Sequence, residues 1–117
     1  MRIVHETPSG ERTLATNVEL AEGIVSQGLG LMFRQSISDD YALVFPFSDA
    51  STRGLHMVFV PFDIDAVWLV DDTVRATKRL SAWTGYGRAT ADTVVELPAG
   101  AADGVSVGDT VRLDGNR

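Results

Sequence analysis

No cysteine occurs anywhere in the 117 residues. Disulfides, iron–sulfur clusters, thiolate zinc sites and cysteine nucleophiles are therefore excluded. Histidine is nearly as scarce. His5 and His56 are the only two, too few for a His-rich metal site, although carboxylates could join them. Lysine occurs once, as Lys78, against nine arginines. No apolar run approaches the roughly 18 residues of a spanning helix, and the first six residues turn polar at once, so neither a membrane segment nor a secretion leader is read. A cytoplasmic protein with no membrane partner is expected. No internal repeat or low-complexity tract is found.

What is present bounds the answer further. The length is that of one domain, residues 1–117, and the 44% hydrophobic share is enough for an ordinary core. The net charge of −6 leaves no basic footprint for nucleic acid. Eleven aspartates against five glutamates, with a single lysine, suit a protein that stays soluble in high salt, where charges are screened over a few ångströms. A salt-loving archaeal source is the first expectation. GC-rich codon usage in another organism produces the same bias.

Along the chain, short strands separated by turn residues dominate. Met1–Glu6 reads as a strand, Thr7–Gly10 as a turn, and Thr13–Leu20 as extended again. Residues 19–28 carry Leu20, Ile24, Val25 and Leu29 at helical spacing, closed by Gly28 and Gly30, and predict a helix. A second short helix is expected at Asp39–Tyr41. Tyr41–Phe47 and Gly54–Val60 read as two strands around a turn at Ser48–Arg53. Ile64–Val70 is almost continuously apolar, so both of its faces should be covered. Asp71-Asp72 is a two-residue turn into Thr73–Leu80, the clearest hairpin. Ser81–Thr90 is expected as a loop, Ala91–Leu97 as a strand, Pro98–Ser106 as one helical turn, and Val107–Thr110 as a tight turn into a last strand ending at Leu113. Residues 114–117 form a tail. The fold class expected is α+β and mostly β, a compact barrel-like antiparallel or mixed sheet with one or two short helices.

Candidate functional residues fall in three places. Arg34, in Gly30-Leu31-Met32-Phe33-Arg34, can offer a guanidinium fork to an anion, or it can pair with a carboxylate and close one end of the barrel. Asp63 and Asp65 precede a buried strand. They can share a proton or hold a cation, with His56 as base or third ligand, or they can bond loop amides while His56 is simply satisfied. Trp83 stands in a loop with Tyr86 and Arg88. It can line a ligand pocket or fold back over the core. Gly85 and Gly87 make no phosphate loop, and Ser81 and Ser106 have no triad context.

The strings Gly30–Arg34, His56–Asp65 leading into Val67-Trp68-Leu69-Val70, Val95–Gly100 and Gly108–Val111, in that order, resemble the family called domain of unknown function 192, also uncharacterised protein family 0127. The resemblance covers about residues 12–113. It implies a compact β-rich domain and no assigned activity. The family's central stretch commonly reads Phe-Trp-Met-Lys-Asn-Thr, two residues, then Pro-Leu-Asp. Met57 and Asp65 match it. His56 stands at the tryptophan, Val58-Phe59-Val60 replaces the polar trio, and Asp63 stands at the proline. A site built on that trio in relatives would be altered here.

The sequence thus favours a small, monomeric, non-catalytic binding or accessory domain with no cofactor and no metal, holding a small ligand or a protein partner near Arg34, His56, Asp63, Asp65 and Trp83. Two alternatives stay open. One is a hydrolase- or isomerase-type enzyme using Asp65 and His56 with Arg34 as anion anchor. The other is a structural or interaction module.

Overall fold

The computed structural model describes residues 1–23 and 30–115. Eight strands run in chain order: β1 (Arg2–Thr7), β2 (Gly10–Ala15), β3 (Asn17–Leu20), β4 (Tyr41–His56), β5 (Ile64–Val70), β6 (Thr73–Leu80), β7 (Tyr86–Pro98) and β8 (Thr110–Asp114). They form one sheet in the order β2-β1-β8-β6-β5-β7-β4-β3. All ladders are antiparallel except β3 with β4.

The junction between β6 and β8 is thin. A single ladder pair, Thr73 with Thr110, joins them, and Val74, Asp109 and Val111 add backbone bonds around it. The sheet folds at this junction. The three-strand part β2-β1-β8 thereby lies against one face of the five-strand part. Ile3, Leu14 and Val111 meet Val44, Val67, Leu69 and Val95 there in one core cluster. The other face of the five-strand part carries a second cluster around Leu43, Phe45, Ala66, Trp68 and Val94. It is covered by side chains from 31–37 and 57–62. Alternation along β5 accounts for the continuous apolar run: Val67 and Leu69 enter the first cluster, and Ile64, Ala66 and Trp68 the second.

Several expectations are corrected. The sheet is open, not barrel-like. Its edge strands β2 and β3 are consecutive in the chain, with only Thr16 between them, yet no ladder joins them. No helix occurs among the described residues, so the class is all-β there. Glu19 and Leu20, expected to start a helix, pair in parallel with Leu43 and Val44 instead; residues 24–28 of that expected helix lie outside the described residues. Asp39–Tyr41 forms a turn closed by the Tyr41 N–H on the Ser38 carbonyl. Pro98–Ser106 is a chain of turns broken by Gly100 and Gly104, at φ 96° and 87°.

β4 is one strand rather than two. Both of its arms pair with β7, from Leu43 with Glu96 to His56 with Tyr86, and the register slips between Pro46 and Ser51. Pro46 has no N–H to donate, so the ladder lapses and Ser48-Asp49-Ala50 bulges outward instead of reversing the chain. β7 starts at Tyr86, earlier than expected, because Gly87 lets the strand pass over Trp68: a Cβ there would lie 2.8 Å from the indole Cη2. The Asp71-Asp72 hairpin forms as expected, both residues left-handed at φ 48° and 65°. That is the conformation such a turn demands, and one aspartate tolerates.

Candidate functional site

Among the described residues, those singled out from the sequence bond to separate partners rather than to one another. Asp65, 4% exposed, accepts hydrogen bonds from the Gly100 and Ala102 amides at 2.9 and 3.0 Å and from Arg79 Nε at 2.8 Å. It thereby pins the turns that follow β7 and has its oxygens occupied. Asp63 is exposed and accepts the Ala82 N–H at 2.8 Å. His56 is exposed, and its Nδ1 accepts the Val58 N–H at 3.2 Å. No hydrogen bond or ion pair among the described residues links His56 to either aspartate. Arg34 donates to the Tyr41 hydroxyl at 2.9 Å and to Glu19 Oε1 at 3.0 Å. Its fork is committed to holding the turn at 31–34 onto β3 and β4. The hydrogen bonds from Tyr41 and Arg34 hold the Glu19 carboxyl below its ordinary range, and burial, with the bond to Glu19, pushes the Tyr41 hydroxyl up.

Trp83 belongs to a different arrangement. Three tight turns meet at one corner of the molecule, and each puts an aromatic residue in the left-handed region. Phe33 (φ 69°) is third in a turn closed by the Arg34 N–H on the Leu31 carbonyl. Phe59 (φ 60°) is third in the turn from Met57 to Val60. Trp83 (φ 67°) is central between the Ala82 carbonyl and the Thr84 N–H, 2.8 Å apart. Backbone bonds knit the turns together, Phe33 N–H to the Phe59 carbonyl at 2.8 Å and Trp83 N–H to the Val60 carbonyl at 3.0 Å. The Phe33 and Phe59 rings stack at 4.8 Å, and Trp83 meets Phe59 edge-on at 6.3 Å. All three side chains are exposed, at 67%, 46% and 55%. A left-handed non-glycine residue costs about 1–3 kcal/mol, so three such residues in one exposed corner need a compensating reason.

Two further polar groups are buried, and neither carries a local sequence signal of it. Glu96, 5% exposed, sits between Leu43 and Ala66, and its Oε1 has no hydrogen-bond partner. Burial raises its carboxyl to about 7, with Arg34 pulling partly the other way. His5, 2% exposed, bonds Asp109 Oδ2 through Nε2 at 2.8 Å. That bond and the Ser106 N–H lower the Asp109 carboxyl. His5 thus ties β1 to the turn before β8.

A more enclosed space with a mostly apolar lining lies elsewhere, between the two parts of the folded sheet. A cleft of about 190 Å³ is lined by Ile3, Val44, Leu69, Val95 and Val111, one residue from each of five strands, with Asp72 at its mouth. For scale, an apolar cavity of roughly 150 Å³ accepts a benzene-sized guest. The mouth opens beside a groove lined by Asp49, Asp71, Asp72 and Asp92, and Asp72 and Thr93 belong to both. Burial is the first cause that raises the Asp72 carboxyl, and the charges of Asp92 and Asp71 are the next. Among the described residues, no group of three or more His, Asp or Glu side chains is placed to hold a metal ion. No helix among them is long and apolar enough to cross a membrane.

Comparison with known proteins agrees with the family resemblance and extends it to residues 4–113, which match the family of domain of unknown function 192, described as uncharacterized ACR. A UPF0127 protein of Thermococcus gammatolerans is 30% identical over 118 residues, covering 96% of this chain and 74% of that protein. A crystal structure of a protein of unknown function from Novosphingobium aromaticivorans superposes with a TM-score of 0.83 at 22% identity, over 97% of this chain and 84% of that one. A proposed transcription regulator from Sinorhizobium meliloti 1021 superposes with a TM-score of 0.79 at 26% identity, over 95% and 91% of the two chains. With that match spanning nearly its whole length, the chain belongs to the uncharacterised family of domain of unknown function 192.

Proposed function

We propose that the protein is a non-catalytic binding domain whose cleft between the two parts of the sheet takes the apolar portion of a small ligand. One observation carries this reading: five strands direct apolar side chains to an open space of about 190 Å³ where a small domain would ordinarily close its core. The candidate acid–base residues support it from the other side. Asp65 is consumed by turn amides and Arg79, and His56 binds its own turn. The regulator name attached to the Sinorhizobium protein is not carried over, since a net charge of −6 offers no footprint for DNA. A cytoplasmic location and a salt-adapted source belong to the same proposal.

The test is an NMR titration of the ¹⁵N-labelled protein with benzyl alcohol. Saturable shifts confined to the amides around Val44, Leu69, Val95 and Val111, lost in Val44→Phe, are expected. Shifts that scatter over the surface or never saturate would count against the cleft. The aromatic corner favours a second reading, a protein-interaction surface whose stacked rings suit a second copy of this chain. Sedimentation equilibrium decides it. Association weakened by Phe59→Ser supports the second reading, and a monomer at all concentrations contradicts it.

A further inference from the structure

We infer that the ligand of this cleft is a small organic cation, an amine whose apolar body fills the cleft and whose ammonium group rests on Asp72. The inference rests on the binding reading above and adds the chemistry of the head group.

The charges around the mouth carry it. Asp72 is the charged residue shared by the apolar cleft and the aspartate-lined groove, beside Thr93, so it stands where a ligand's body ends and its head begins. Burial first, and then the charges of Asp92 and Asp71 with a weaker one from Glu6, raise its proton affinity, while Arg112 pulls the other way. One bond holds the Asp92 carboxylate and another fixes the Asp72 backbone. The Asp71 N–H bonds Asp92 Oδ2 at 3.0 Å, and the Val111 N–H bonds the Asp72 carbonyl at 2.8 Å. The cation lining the cleft, Arg112, is already spent. Its guanidinium meets Glu6 at 3.3 Å, Glu11 at 3.1 Å and Asp114 at 3.3 Å. In the groove, Asp49 is neutralised by Arg53 at 2.9 Å. Arg112 offsets part of the charge on Asp72, and three carboxylates, Asp71, Asp72 and Asp92, face that one shared cation at the mouth. An anionic head would meet those carboxylates and find Arg112 already bound, and a neutral head would gain nothing from them. A cation gains from all three, and the low-dielectric wall of the cleft concentrates their field.

Three probes with one ring and three heads separate this inference from the reading beneath it: benzylamine, benzyl alcohol and benzoate, titrated calorimetrically and by NMR. The expected order of affinity is amine, then alcohol, then benzoate. The amine should exceed the alcohol by about tenfold, the size expected of a few partly exposed charge pairs with the carboxylates at the mouth. Asp72→Asn should remove that advantage and leave benzyl alcohol unchanged. Asparagine accepts the left-handed backbone at this position, so the variant should fold; Asp92→Asn, which keeps an oxygen for the Asp71 amide, should reduce the advantage in part. If benzyl alcohol binds as tightly as benzylamine, the inference on the head group falls while the cleft stands. If none of the three binds, both fall.

Discussion

Replacing Glu96 by glutamine should change how stability depends on pH, and the size of the change follows from the structure. Glu96 is 5% exposed on the face of β7 that joins the second core cluster, flanked by Leu43 and Ala66. Gly30 and the Phe45 ring close over it: a Cβ at Gly30 would lie 3.5 Å from Oε1 and 3.4 Å from Phe45 Cζ. Water is kept from the carboxyl, and burial raises it from the ordinary 4.5 to about 7, against a partial pull from Arg34. Below about pH 4.5 the carboxyl is protonated in both folded and unfolded chains, and its contribution to stability is fully present. As pH rises, the unfolded chain gives up this proton first. Stability is lost through the window up to about pH 7, by about 3 kcal/mol in all, and no further above it. Glutamine cannot ionise. Its packing cost is the same at every pH, so the difference between variant and wild type isolates the ionisation. Urea unfolding of both proteins at about pH 4.5 and about pH 8 measures it. The stability of Glu96→Gln relative to wild type should rise by about 3 kcal/mol between those two conditions, a large share of a domain's total. A relative stability that stays constant would refute the reasoning, since Glu96 would then be an ordinary, solvated carboxyl.

Other perturbations test other parts of the account. Phe59→Gly should be more stable than Phe59→Ala by about 1 kcal/mol, because alanine keeps the left-handed strain and glycine releases it; equal stability by thermal unfolding would show that the turn is not strained. Asp65→Ala should cost about 3 kcal/mol, from one buried and one part-buried amide left without an acceptor and a broken pair with Arg79; a loss below about 1 kcal/mol would mean that the turns after β7 do not depend on it. Unfolding in dilute buffer should occur at a lower temperature than in molar salt if the aspartate-rich, lysine-poor surface is an adaptation to salt; an unchanged midpoint would leave codon usage as the cause of that composition.

Local signals in the sequence were good guides to local structure. The hairpin of β5 and β6 was legible because turn residues, alternation and length agreed, and the doubly covered face of Ile64–Val70 followed from its unbroken apolar run. Glu19 and Leu20 carry two readings in the sequence, the end of an extended stretch and the start of a helix, because helical spacing is local, whereas the parallel pairing with Leu43 and Val44 that makes them strand depends on a strand that begins at Tyr41. β4 was split because Ser48–Arg53 has turn composition, and only the shared partner β7 makes it a bulge. The candidate site was legible in pieces. Asp65 was legible as an aspartate at the head of a buried strand that could bond loop amides, and Trp83 as a loop aromatic, although the left-handed backbone of Phe33, Phe59 and Trp83 has no signature in sequence. The cleft could not be read at all. Ile3, Val44, Leu69, Val95 and Val111 each look like core residues of separate strands, and Asp72 like a turn residue. Only the fold of the sheet at the thin β6–β8 junction gathers them.

The central claim is that the space between the two parts of the sheet accepts an apolar guest. A crystal of the protein pressurised with xenon tests it without any assumption about the ligand, because xenon occupies apolar cavities of this size. The account predicts a xenon peak among Leu69, Val95 and Val111, absent from Val44→Phe. A cleft with no xenon, or one filled by its own side chains, would contradict it.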